Sequence, residues 1–410
     1  MEEYPFPEQE GLLAEPRIIP GTDISVIRGY DGRRLRVALL DWDGNISTLK
    51  DTWPDIMAAT NAASVVQGAR NFSVRDAVNG VLSYTGRSIG EPTYLQMKYN
   101  CLLIDANEGE AADPSRYKEV YNIHLKAQDA LVRNRIKNGG MPFSVDNTPS
   151  ERIAKIAYKN GKGYLLLSAI FTGCIAQAYP TMSVEEANNH ALGILLEDLS
   201  KTPEKNIIAL TEFLNSHGGN NLSPNRYHHL FRMIHGPESM NVNPYQQAAS
   251  VDDFLIPGAR NLLQGLNRSF EGRVYIASGS DVEAVRIDAA LLGLDELVAD
   301  IVGAGSSPDP RACAKRRIIE KFKRGEVDDI PLQRGELAGF EDGFPENLWT
   351  YVADGIAVGM LSPDHSLYEN EGHFTVEQKR ARLTRSGSHV LVNSYRHALR
   401  LIEEIRKNAA

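Results

Sequence analysis

The chain has 410 residues, with 44 Lys plus Arg against 53 Asp plus Glu, a formal net charge of -9, and 42% hydrophobic and 24% charged residues. This is ordinary globular composition, long enough for two or three domains, and its acidity argues against a nucleic-acid partner, because a phosphate polymer would be repelled on average. Cys101, Cys174 and Cys313 fall in no CxxC pattern and form no even set, which speaks against a disulfide framework or a cysteine zinc site and fits a reducing, cytoplasmic setting.

In chain order, residues 1–36 read as an irregular N-terminal extension. Its start, MEEYPFPEQEGLLAEP, is acidic and carries prolines where a secretory signal would be basic and then apolar, and Asp31-Gly32 suggests an early hairpin turn. Val37–Leu40 is a short continuous apolar run, the pattern of a central parallel strand buried on both faces, and it ends directly in Asp41-Trp42-Asp43-Gly44. From about Ser47 to Asp253 the pattern is mostly helical, with helices expected over Ser73–Tyr84, Tyr94–Ile104, Pro114–Ile136, Ser150–Tyr158, Val184–Leu199 and Pro203–Ser216. The apolar stretch Gly163–Ala178 falls short of the roughly 20 residues needed to span a bilayer; it reads as a buried helix, and no membrane association is expected.

A second strand, Val274–Ala277, ends in Ser278-Gly279-Ser280-Asp281 and leads into a helix over Val282–Leu292. Further strands are expected at Leu297–Val302, Leu337–Phe340, Ile356–Met360 and Val390–Val392, with a closing helix from about Arg396 to Lys407. Strands alternating with helices predict an α/β fold built on a doubly wound, Rossmann-like parallel sheet. Its core would comprise residues 37–46 and 254–410, interrupted by a large, mostly helical inserted cap domain over residues 47–253. Gly44–Lys50 and Val251–Gly258 would be the connectors.

Polar groups at the carboxyl end of a buried parallel strand mark the ligand side of such a sheet. Asp41 and Asp43 would stand there close together, each raising the other's pKa, so a cation and a nearby lysine are expected to offset them. Mg²⁺ suits a site of few carboxylates, waters and a phosphate oxygen. Gly44 would let the chain turn so that main-chain N–H groups face an anion.

Several segments together resemble one family. LLDWDGNISTLKDTWPDIM resembles the hhhhDxDGT motif of the haloacid dehalogenase-like (HAD) superfamily, in the longer form of its phosphoglycolate-phosphatase-like branch. VYIASGSD is similar to the second motif, AKRRIIEKF to the third, in which a lysine opens a helix, and GFEDGFPENLW to the fourth, GDGxxEI. IGEPTYLQM, VADGIAVGMLSPD and KRARLTRSGSHVLVNSY resemble further segments of that branch.

The resemblance implies a Mg²⁺-dependent phosphatase acting on a small phosphorylated metabolite, a sugar phosphate or phosphoglycolate-like acid. Asp41 would be the nucleophile, transiently phosphorylated. Asp43 would be the general acid and base. Ser278 and Lys315 would hold the phosphoryl oxygens. Mg²⁺ would be held by Asp342, Glu346, Asp41 and the main-chain carbonyl of Asp43, with Gly44, Asn45 and Gly279 around the phosphate and Thr93 and Gln96 facing the substrate from the cap. Asn45 stands where the family usually has Thr, Glu341 where it has Gly, and Pro345 stiffens the turn before Glu346. Those departures motivate a second reading, a catalytically weak binding or regulatory protein, and a phosphomutase is a third. Arg316 and Arg317 could widen the phosphate patch. His217, His228, His229 and His235 lack the spacing of a zinc pair, and Gly303–Ser307 lacks a complete nucleotide-loop pattern.

Overall fold

The computed structural model describes residues 11–50, 52–88, 93–137, 148–196, 203–216, 223–235, 244–246, 250–278, 282–303, 313–361 and 375–409. Gly279, His217 and residues 304–307 lie outside them. The strands are β1 (Leu12–Ile18), β2 (Ser25–Arg28), β3 (Tyr30–Asp31), β4 (Val37–Leu40), β5 (Val274–Ser278), β6 (Asp300–Gly303), β7 (Leu337–Glu341), β8 (Ile356–Met360), β9 (Val390–Val392) and β10 (Asn408–Ala409). Eight of them form one sheet in the order β1-β2-β9-β8-β7-β4-β5-β6, while β10 pairs with β3. From β9 through β6 every pairing is parallel, and β2 joins β9 antiparallel with β1 on the outer edge. The protein is thus a mixed α/β fold with a mostly parallel sheet.

Continuous apolar runs form the central strands because both of their faces are covered. Along β4, Val37 and Leu39 pack with Ile318, Ile319 and Phe322 of a helix over Ala314–Lys323. Ala38 and Leu40 pack on the opposite side with Leu262, Leu263 and Leu266, with Val285 and Ala289, and with Leu401, Ile402 and Ile405. A period of two therefore feeds two different cores. From β4 the chain moves outward to β5 and β6, and then returns to the other side of β4 for β7, β8 and β9. The order reverses at β4, and the crevice outside the carboxyl end of such a strand is where open α/β sheets bind ligands.

The helices are α1 (Trp53–Gly68), α2 (Val74–Arg87), α3 (Thr93–Ala106), α4 (Pro114–Ile136), α5 (Pro149–Asn160), α6 (Lys162–Ala178), α7 (Val184–Leu196), α8 (Pro203–Ser216), α9 (Pro224–His235), α10 (Ala259–Ser269), α11 (Val282–Leu291), α12 (Ala314–Lys323), α13 (Phe344–Val352), α14 (Val376–Arg385) and α15 (Ala398–Ile405). Helices α1 to α9 share a hydrophobic core of their own. At its centre α1 is buried continuously from Pro54 to Gly68, rich in small residues, which lets α6 approach until a Cβ on Gly173 would lie 3.1 Å from the Thr60 carbonyl oxygen. Ser73 and Asp113 cap α2 and α4 through their side-chain oxygens, and Thr148 with Glu151 forms a capping box on α5. Helix α4 reaches beyond this unit, because Val132 and Ile136 at its C-terminal end pack into the core of the sheet. No helix among the described residues is long and apolar enough to cross a membrane.

Residues 11–36 depart from the expected irregular leader. The hairpin is β1–β2, and Asp31-Gly32 does not turn a hairpin: Tyr30 and Asp31 pair with Ala409 and Asn408 at the far end of the chain, and the Gly32 N–H donates to the Lys407 carbonyl. A side chain at Gly32 would collide with the Ile405 carbonyl, 1.6 Å from the Cβ position. The strand expected at Leu297–Val302 begins at Asp300, because Asp295–Leu297 forms a 3₁₀ turn.

Candidate functional site

β4 delivers Asp41 to the carboxyl rim of the sheet. The Asp41 N–H donates to the Phe340 carbonyl at 3.0 Å, so pairing with β7 runs one residue past the end of β4, and the Trp42 N–H donates to the Asp41 carboxylate. Trp42 turns inward and is fully buried. Gly44 then adopts a φ of +75°, which glycine tolerates without cost. Its N–H donates to the Ser47 carbonyl at 2.9 Å, so in this structure that group is spent on the turn. The outgoing and returning segments pair with each other: Thr48 donates to the Phe254 carbonyl and Ile256 to the Ile46 carbonyl, at 2.9 and 3.0 Å.

Asn45 is fully buried, and its amide ties three elements together. Its Nδ2 donates to the Asp41 and Phe340 carbonyls at 3.2 and 2.9 Å, and its Oδ1 accepts from the Tyr395 hydroxyl beyond β9. An amide committed in this way is a brace between β4, β7 and the β9 exit rather than the phosphate contact expected from the sequence. Tyr395→Phe should therefore destabilise the fold by about 1–3 kcal/mol, by leaving the buried Asn45 oxygen unsatisfied. Urea unfolding of the variant measures this, and an unchanged midpoint would show that the brace contributes nothing.

The other acids come from β7 and α13. Glu341 ends β7, Asp342 follows, and Gly343 caps α13, which carries Glu346 in its first turn behind Pro345. Helix α13 lies so close to β7 that a Cβ on Gly339 would meet Thr350 Oγ1 at 2.3 Å. Lys315, in the first turn of α12, is only 2% exposed, and its ammonium sits 2.7 Å from Oε1 of the fully buried Glu341. Asp43 pairs with Lys50 at 3.3 Å, and Asp342 with Lys379 of α14 at 3.8 Å. Ser278, the last residue of β5, is buried at the same rim.

Five carboxylates, Asp41, Asp43, Glu341, Asp342 and Glu346, thus face three amines. The excess shows in the acidities of Asp41, Glu341 and Glu346. Burial pushes Asp41 up to about 7, opposed by Lys315 and reinforced by Glu341 and Asp43. Burial also raises Glu341 to about 7 against the pull of Lys315. Glu346 is pushed well up by burial and then by the charges of Asp41 and Glu341, and its Oε2 is buried without a hydrogen-bond partner among the described residues. Hard oxygen donors in excess of the amines beside them fit Mg²⁺ in chemistry. Among the described residues no three His, Cys, Asp or Glu side chains stand close enough to clasp a metal ion, so a bound ion would have to draw these carboxylates together.

These shifts fix a pH dependence. A carboxyl whose folded pKa is raised binds more protons folded than unfolded between about pH 4 and pH 7, so the metal-free protein loses stability from these groups as pH rises across that window. A divalent cation displaces those protons. Mg²⁺ is therefore expected to raise the unfolding temperature more at pH 8 than at pH 5.5; equal shifts at the two values, read by thermal unfolding with and without Mg²⁺, would remove the site from these acids.

Helix α4 borders the same region. Tyr121 and Asp129 both feel the charge of Asp43, Arg133 pairs with Asp288 of α11 at 2.8 Å, and the Arg135 guanidinium lies over the Phe254 ring at 5.2 Å. Sequence reasoning did not single out Lys50, Lys379, Tyr395 or this face of α4. Thr93 begins α3 half-buried, and Gln96 is buried with its Nε2 donating to the Ser88 carbonyl and hydroxyl at 2.8 and 3.1 Å. That amide is committed within the helical unit, and neither residue touches the acid–lysine group among the described contacts. Arg316 stacks over Trp349 at 4.7 Å.

No family model matches the sequence, and no curated protein matches it. A solved chain described as an X-ray structure of a Northeast Structural Genomics Consortium target is similar at 12% identity, with 90% of this chain and 99% of that chain covered, at a TM-score of 0.37. That similarity is too slight to carry a fold from one chain to the other.

Proposed function

We propose that the chain is a Mg²⁺-dependent phosphomonoester hydrolase of the HAD-like kind, with a doubly wound core and with the helical segment over residues 47–253 acting as a cap above the strand tips. The observation that carries this reading is the gathering of Asp41, Lys315 and Glu346, from three distant stretches of sequence, into one charge cluster at the carboxyl end of β4. Asp342, Glu346, Asp41 and the Asp43 carbonyl would hold Mg²⁺, which when bound supplies charge neutralisation and positioning.

In this reading an Asp41 carboxylate oxygen bonds to phosphorus while the ester oxygen leaves, taking a proton from Asp43. Asp43 then accepts a proton from the water that hydrolyses the aspartyl-phosphate, which restores the Asp41 carboxylate and the Asp43 carboxylic acid. Ser278 donates to the phosphoryl oxygens, and Lys315 offsets their charge. A cap that shuts out bulk water favours a small phosphorylated metabolite over a polymer.

A second reading has its own support. The Lys315 ammonium is already paired with Glu341, and the Asn45 amide is fully committed, as in a protein that binds a phosphorylated ligand without turning it over. A panel of small phosphorylated metabolites with Mg²⁺ separates the two. Phosphate release supports the hydrolase, binding without release supports the binding protein, and transfer to a second hydroxyl marks a mutase.

A further inference from the structure

We propose that Lys50 is a positioning residue for Asp43, holding the Asp43 carboxyl group from the buried side of the segment that leaves the sheet. This assignment rests on the hydrolase reading. Lys50 lies seven residues past Asp43 on the segment leaving the sheet, and its Nζ sits 3.3 Å from Asp43 Oδ2. The lysine side chain is 7% exposed and that of Asp43 24%, with Asp43 Oδ1 itself buried, so the ion pair is anchored from the buried side. The charges of Asp129 on α4 and Asp288 on α11 act on the same ammonium. Arg133 of α4 completes the group, with its guanidinium nitrogens 2.8 and 2.9 Å from Asp288 Oδ1.

A buried lysine in an ion pair with Asp43 has little rotamer freedom left. Fixing one oxygen of Asp43 fixes the plane of its carboxyl group, and hence the direction in which the other oxygen can exchange a proton. A general acid depends on that geometry, since proton transfer needs hydrogen-bond reach of the leaving oxygen.

Leaving-group dependence tests this, because a poor leaving group needs a proton and a good one does not. Lys50→Met is expected to lower kcat on β-glycerophosphate by about tenfold or more, a part of the usual general-acid contribution, with KM little changed. On 2,4-dinitrophenyl phosphate kcat should stay close to wild type, and Lys50→Arg should restore the alkyl ester rate. If Lys50→Met does not fold, the same comparison is read in Lys50→Gln. An equal loss on both esters, or no loss on either, would overturn the assignment while leaving the hydrolase reading intact. A wild-type chain that releases phosphate from neither ester would overturn both.

Discussion

Under the proposed hydrolase function, Asp41→Asn is expected to lower phosphate release by about 10⁴-fold or more while binding of a phosphorylated ligand persists. An amide cannot form the acyl-phosphate bond. Loss of fold would not explain the result. The Asp41 carboxyl is held near neutrality by burial and by Glu341 and Asp43, so a neutral amide removes a repulsion, and the variant should unfold at the same temperature as wild type or higher. Phosphate release with Mg²⁺, measured beside thermal unfolding, checks both halves. A variant that still turns over at a tenth of the wild-type rate would end the role of Asp41 as nucleophile.

The readable parts of this molecule are those in which one local rule decides. β4 and β8 are unbroken apolar runs, and β5 and β7 are apolar up to their last residues, Ser278 and Glu341, the usual pattern of a strand buried on both faces. Pro114–Ile136 was legible to the residue because Asp113 caps it, Pro114 can occupy the first turn, and its apolar spacing is helical. Helix α1 was hidden for the opposite reason: buried on all sides, it has no polar face to give it a period. The edge pairing of β3 with β10 joins residues nearly 380 apart, and nothing local announces it.

At the site, the acids could be found from their place after strands, but their partners could not. Lys50, Lys379 and Tyr395 are ordinary residues in sequence, and only the fold brings them against Asp43, Asp342 and Asn45. Glu341 stands out in the sequence only as an acid at a place where the resembled motif has Gly. Its carboxylate turns to Lys315, and the two side chains form a single buried pair.

That pair sets the largest stability effect. Lys315→Met should cost about 3–5 kcal/mol at pH 8, because it strands the carboxylate of a fully buried Glu341 and removes the counter-charge from Asp41. The cost should shrink at pH 6. Glu341 already has its folded pKa raised to about 7 by burial, opposed chiefly by Lys315; without that lysine the pKa rises further, the folded state takes up a proton that the unfolded state does not, and protonation relieves the stranded charge. Urea unfolding at the two pH values measures this, and a pH-independent loss would mean that the cost comes from packing rather than charge. Adding Glu341→Leu to Lys315→Met removes both partners together and should recover most of the stability. The double variant also divides structure from chemistry: if Lys315 serves only Glu341, phosphate release returns with the fold, whereas if it offsets the phosphoryl charge, the restored fold stays inactive.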